Sequence, residues 1–130
     1  MYPKKVAQDT AKTLQNYLTY QAVRTIINQL SETNPTQAIW LSQYSSTSKI
    51  QDGEAYLEGL MLEHKELVMR ILTVRQHLAE QVLDFLPEMV STGIEQSNLE
   101  CRRQILERLT QSQSSNSESN SELDLNESSD

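Results

Sequence analysis

The residues best suited to recognition in this chain are Tyr17 and Tyr20, three positions apart, with Thr13 one helical turn before them. A tyrosine ring buries apolar area while its hydroxyl still hydrogen-bonds, which suits a surface that grips another molecule. Gln29, Glu32, Thr33 and Asn34 form a polar cluster further on, where capping and turn formation are the ordinary use. Ile50-Gln51 offers one apolar contact and one amide to an extended peptide.

Catalytic and metal-binding patterns are missing. His64 and His77 lie thirteen apart, without a Glu-x-x-His or His-Glu-x-x-His spacing. Cys101 is the single cysteine, so no CxxC and no intrachain disulfide exists, which fits a reducing compartment. The three glycines are scattered and form no phosphate-cradling loop, and no nucleophile motif surrounds the many serines and threonines. Glu54 and Glu58, one turn apart, read as a solvated helix face. The composition therefore points to a non-enzyme with neither cofactor nor metal.

At 130 residues this is one domain at most. Of its net charge of −7, five acids and no base fall in 111–130, which leaves −2 for the rest. A near-neutral body argues against nucleic acid and against anionic membranes as partners. Arg70, Arg75, Arg102, Arg103 and Arg108 alternate with Glu66, Glu80, Glu95, Glu100 and Glu107, the pattern of a mixed-charge helix face. No apolar run reaches the ~20 residues of a membrane span, and the start MYPKKVAQDT lacks a signal core. A cytoplasmic protein of bacterial type is expected.

Few glycines and prolines with dispersed leucines predict an all-α chain. The first helix is expected from about Pro3 to Ser31. At ~100° per residue Val6, Thr10, Leu14, Tyr17 and Leu18 share one side, whereas Tyr20, Val23, Ile26, Ile27 and Leu30 occupy the other. This predicts a helix whose apolar stripe crosses over at the tyrosines, packing against two bodies. Asn34-Pro35 is a helix start, Asn as cap and Pro in the first turn. It opens a second helix to about Tyr44, and residues 45–49 read as a loop. Asp52 caps a third helix over about 53–63.

From about Glu66 to Thr110, Leu67, Ile71, Val74, Leu78, Val82, Phe85 and Met89 recur at three- and four-residue steps. Pro87 predicts a kink. A helix this long spans ~65–70 Å, against a radius of gyration near ~13 Å for a compact chain of this size. No turn chemistry flanks Pro87, so a second copy of the chain is the expected partner. Residues 111–130, rich in Ser, Asn and acids, are expected to be a disordered tail.

Several blocks together resemble one family: DTAKTLQNYLTYQA (9–22), ETNP (32–35), IQDGEAY (50–56), MRILTV (69–74) and FLPEMV (85–90). They are similar to RbcX, the Rubisco assembly chaperones of cyanobacteria and plastids, over roughly residues 5–110. The stretch around Cys101 departs from that pattern. The resemblance implies a four-helix protomer that forms a homodimer by antiparallel pairing of its long last helix. It also implies a central apolar groove that holds the extended C-terminal peptide of the Rubisco large subunit. Thr13, Tyr17, Tyr20, Gln29, Ile50 and Gln51 would line or frame that groove. Glu32, Thr33, Asn34 and Arg70 would contact the body of the large subunit, in the cytoplasm or near carboxysomes.

Overall fold

The computed structural model describes residues 2–47 and 52–127, with the side chains of Thr47 and 115–127 left aside. It has four helices, α1 (Tyr2–Thr33), α2 (Pro35–Thr47), α3 (Gly53–Glu63) and α4 (Lys65–Glu127), and no strand among the described residues. The chain divides into two compact units, Met1–Asp84 and Phe85–Asp130.

The breaks between helices have local causes. Asn34 separates α1 from α2: its N–H donates to the Leu30 carbonyl at 2.7 Å, and its own carbonyl accepts from Ala38 N at 3.1 Å. Asn34 Oδ1 also accepts from Gln37 N at 3.4 Å, while Pro35 fills the first helical position, where an N–H is not needed. Asp52 takes an extended backbone (φ −120°, ψ 100°) and caps α3, its carboxylate accepting from Ala55 N at 3.3 Å. His64 ends α3 by donating its N–H to Leu60 O at 2.8 Å, and its carbonyl accepts from Val68 N to start α4.

In the first unit one core joins all four helices. It contains Ala22, Val23, Ile26 and Leu30 of α1, Ala38 and Leu41 of α2, Tyr56, Leu57 and Leu60 of α3, and Leu67, Val68 and Ile71 of α4. Beside it, Trp40 stacks on Tyr44 with ring centroids 5.3 Å apart and meets the edge of His64 at 4.4 Å. The Tyr56 hydroxyl shares a 2.7 Å hydrogen bond with Ser45. Burial pushes its pKa above the usual 10.0, and the Ser45 bond offsets part of that rise.

In the second unit α4 continues with Pro87 inside the helix. Phe85, Met89, Val90, Ile94, Leu99, Ile105, Leu106 and Leu109 are all exposed. Arg103 pairs with Glu100 at 2.6 Å and with Glu107 one turn on. These bonds raise the arginine pKa and lower that of Glu100. No helix among the described residues is long and apolar enough to cross a membrane.

Three helices extend beyond the sequence expectation. Helix α2 takes in residues 45–47, because the Ser45 and Ser46 hydroxyls turn back onto the carbonyls of Leu41 and Gln43 and so are satisfied within the helix. Helix α1 begins at Tyr2 and runs to Thr33, whose hydroxyl bonds Gln29 O at 3.0 Å. Helix α4 runs to Glu127, beyond the expected end near Thr110. Residues 111–127 hold no proline or glycine, so nothing in that stretch interrupts the turn-to-turn backbone bonding.

Truncation of Leu60 or Ile71 to Ala, both fully buried, should cost about 2–5 kcal/mol, seen as a lower urea midpoint. Stability should also fall as pH rises above 10.0, because the raised folded-state pKa of Tyr56 makes the native state hold its proton longer than the unfolded chain does. Tyr56→Phe should be less stable at neutral pH and should flatten that alkaline loss in urea titrations from neutral to strongly alkaline pH.

Candidate functional site

Helix α1 carries two faces. Its buried residues, Leu18, Thr19, Ala22, Val23, Ile26 and Leu30, span an arc of ~140° at ~100° per residue. Val6, Thr13, Tyr17, Tyr20 and Arg24 lie within ~60° of one another on the roughly opposite arc. All five are exposed, Tyr17 at 57% and Tyr20 at 41%. This corrects the expected crossover. Tyr20 does not share the side of Val23, Ile26 and Leu30; both tyrosines stand on one outward stripe that begins at Val6. Only the second half of α1 packs on the core, since residues 2–13 are exposed throughout. The reason is that the apolar core shared with α2, α3 and the start of α4 takes in α1 only from Ala22 onward.

The stripe includes a residue that sequence reasoning passed over. The Arg24 guanidinium lies 5.9 Å from the centre of the Tyr20 ring, within cation–π range. Its position one turn after Tyr20 was the available signal. Thr13, exposed, donates its hydroxyl to Asp9 O at 3.0 Å.

The polar cluster gathers at the other end of α1. Arg70 donates to Gln29 Oε1 at 3.0 Å, and both border a depression of about 320 Å³ with Ile26, Met69, Thr73 and Val74. Glu32, Thr33 and Asn34 follow at the exposed end of α1. Gln29 thus stands with Arg70. Around the helix it is turned ~120–180° from the tyrosines, so within one protomer it joins the corner and not the stripe.

Ile50 and Gln51 lie outside the described residues. The backbone just after them is anchored on α1: Gly53 N donates to Asn16 Oδ1 at 3.0 Å. A Cβ on Gly53 would meet Thr19 Oγ1 at 3.1 Å and Asn16 Oδ1 at 3.2 Å, so glycine permits this approach. Arg75 donates to Thr19 Oγ1 at 3.2 Å and to Glu54 at 2.9 Å, tying α4 to the same point. Asn16 and Thr19 are the chain neighbours of Tyr17 and Tyr20. Positions 16 and 19 hold α3 while 17 and 20 present rings to solvent. The only sequence signal for this was a threonine in a stretch that otherwise turns apolar.

The described residues of the site form no catalytic constellation. Among them no three His, Cys, Asp or Glu side chains converge as metal ligands. What its described residues offer is aromatic surface, the guanidiniums of Arg24 and Arg70, the carboxylate of Glu32 and a set of amides and hydroxyls.

The family model described as RbcX protein matches residues 1–111. The chain is 64% identical to RuBisCO chaperone RbcX of Picosynechococcus sp. over 88% of its own length and 86% of that protein. It is 56% identical to RuBisCO chaperone RbcX of Thermosynechococcus vestitus, over 95% and 98%. A crystal structure of RbcX in complex with substrate superimposes with a TM-score of 0.78 at 65% identity, covering 85% of this chain and 99% of that one. This four-helix chain, with its outward tyrosine stripe, belongs to the RbcX family.

Proposed function

We propose that this protein is a Rubisco assembly chaperone acting on folded large subunits. A homodimer binds the extended C-terminal peptide of its client in a central apolar groove. Its corners touch the body of the client, it promotes assembly of the large-subunit octamer, and it leaves by displacement. The observation that carries the reading is the stripe of Tyr17 and Tyr20, exposed on the face of α1 opposite its own core. Relatives named RuBisCO chaperone support it.

Dimerisation follows from the second unit. Eight large apolar side chains from Phe85 to Leu109 are exposed on a helix, and burying them against another copy gains roughly 25 cal/mol per Å². Antiparallel pairing of α4 places the same surface of both copies together, so every groove residue counts twice. Residues 1–110 form the chaperone body and 111–130 a solvated appendage, in keeping with a family match that ends at residue 111.

Within the groove, Thr13, Tyr17, Tyr20, Gln29, Ile50 and Gln51 receive the peptide, the tyrosines supplying area for apolar anchors. Gln29 reaches the groove only if the partner copy brings its corner there. Glu32, Thr33, Asn34 and Arg70 serve the body of the client. Ordering a flexible peptide offsets part of the burial, which leaves affinity moderate and allows release by competition. The chemistry is binding throughout, with neither catalysis nor a cofactor. The protein works in the cytoplasm, beside carboxysomes.

Tyr17→Ala or Tyr20→Ala should abolish binding of a peptide from the C-terminus of a Rubisco large subunit in calorimetry, with helicity and dimer mass unchanged. Unchanged binding would leave a helical dimeric adaptor whose tyrosines serve no groove. Separately, Glu32→Ala or Arg70→Ala should retain peptide binding but lower the yield of assembled octamer in a reconstitution assay. Loss of both functions together would remove the two-surface picture.

A further inference from the structure

Beside the tyrosine stripe, α1 and α2 enclose an open hollow of about 360 Å³ lined by Tyr20, Arg24, Asn28, Ser42, Ser45 and Ser46, with Val23 and Ile27 at its base. Its charge is unusually simple. From Thr13 to Ser31, Arg24 is the only charged residue, and α2, Pro35–Thr47, has none. No ion pair among the described residues engages Arg24. In a chain of net charge −7 this leaves one cation in a neutral wall, held over the ring of Tyr20.

The remaining polar groups suit an anion. A carboxylate only accepts hydrogen bonds, and the hollow presents the Arg24 N–H groups with the Asn28 amide and the Ser42 hydroxyl as donors. The Ser45 and Ser46 hydroxyls are occupied by Leu41 O and Gln43 O, so they border the hollow without competing for Arg24. Arginine also presents a planar fork that matches a carboxylate. A carboxylate seated here would lie next to whatever covers Tyr20.

We infer that the hollow at Arg24 is an anion subsite taking one acidic side chain of the bound peptide, next to the apolar part that rests on Tyr17 and Tyr20. The inference rests on the peptide-binding reading and deepens it: Arg24 sets which peptides bind, and the stripe selects an apolar segment flanked by an acid. Charge complementarity favours this occupant, because the apolar stripe alone carries no preference for charge.

The probe is a synthetic peptide corresponding to the C-terminal segment of a Rubisco large subunit, with a series in which each Asp or Glu is replaced in turn by its amide. It is titrated into the full chain and into Arg24→Gln and Arg24→Lys, at low and high salt. Arg24→Gln should bind the parent peptide about tenfold more weakly at low salt, Arg24→Lys should recover part of that loss, and salt should narrow the gap. One amide peptide should bind the native chain with the same deficit and show no further loss with Arg24→Gln. Equal affinity of native protein and Arg24→Gln for the parent peptide would overturn the subsite while leaving the peptide-binding reading intact. Deficits that simply add for every amide peptide would overturn it too. So would competition by a synthetic 111–130 peptide that depends on Arg24, since the occupant would then be the chain's own acidic tail. No binding of any peptide to the native chain would overturn both readings.

Discussion

The packing of the second half of α1 into the core is the constraint from which the rest of this molecule follows. Leu18, Ala22, Val23, Ile26 and Leu30 are buried, and all but Leu18 join the core shared with α2, α3 and the start of α4. Once that arc faces inward, helical geometry leaves Thr13, Tyr17, Tyr20 and Arg24 no choice but to face outward. The tyrosines are exposed because the helix is rigid and already committed on its other side. A loop could present the same side chains, but at a larger ordering cost on binding.

A second anchoring layer lies just beneath the stripe. Thr19 is buried, and its hydroxyl accepts from Arg75 while donating to Gln15 O. Asn16 receives the N–H of Gly53. Buried polar groups that are fully satisfied specify one arrangement of the helices around them. Among the described residues no buried side-chain polar atom lacks a partner. The start of α3 is thereby held against the α1 positions that neighbour the tyrosines, which stiffens the surface from below.

Charge divides the chain in a complementary way. Acids and bases are interleaved on α4, with Arg103 between Glu100 and Glu107. Such exposed pairs contribute little stability, but they set charge among the exposed apolar side chains of the second unit. The wall of α1 and α2 around Tyr20 is almost uncharged by contrast. Arg24 stands there with no ion pair to a carboxylate among the described residues, so its charge is not neutralised by a salt bridge.

Much of this was legible in the sequence for local reasons. Proline and asparagine at 34–35 and the carboxylate of Asp52 set helix starts through short-range hydrogen bonds, and both stand where the residue types predicted. Few glycines and a three- and four-residue apolar rhythm determined an all-helical chain with a long last helix, since periodicity is a property of neighbours along the chain. The family blocks likewise carried the identity. The faces of α1 were decided only by the tertiary structure: an apolar residue on a wheel has a side, but which side is inward depends on where the other helices lie. That is why Tyr20 looked like a companion of Val23 and Ile26 and is instead a companion of Tyr17. Arg24 over Tyr20, Arg70 on Gln29 and Gly53 against Asn16 join residues from 4 to 41 positions apart. The two long-range contacts form only when the core brings distant helices together, and no local pattern in the sequence encodes that geometry.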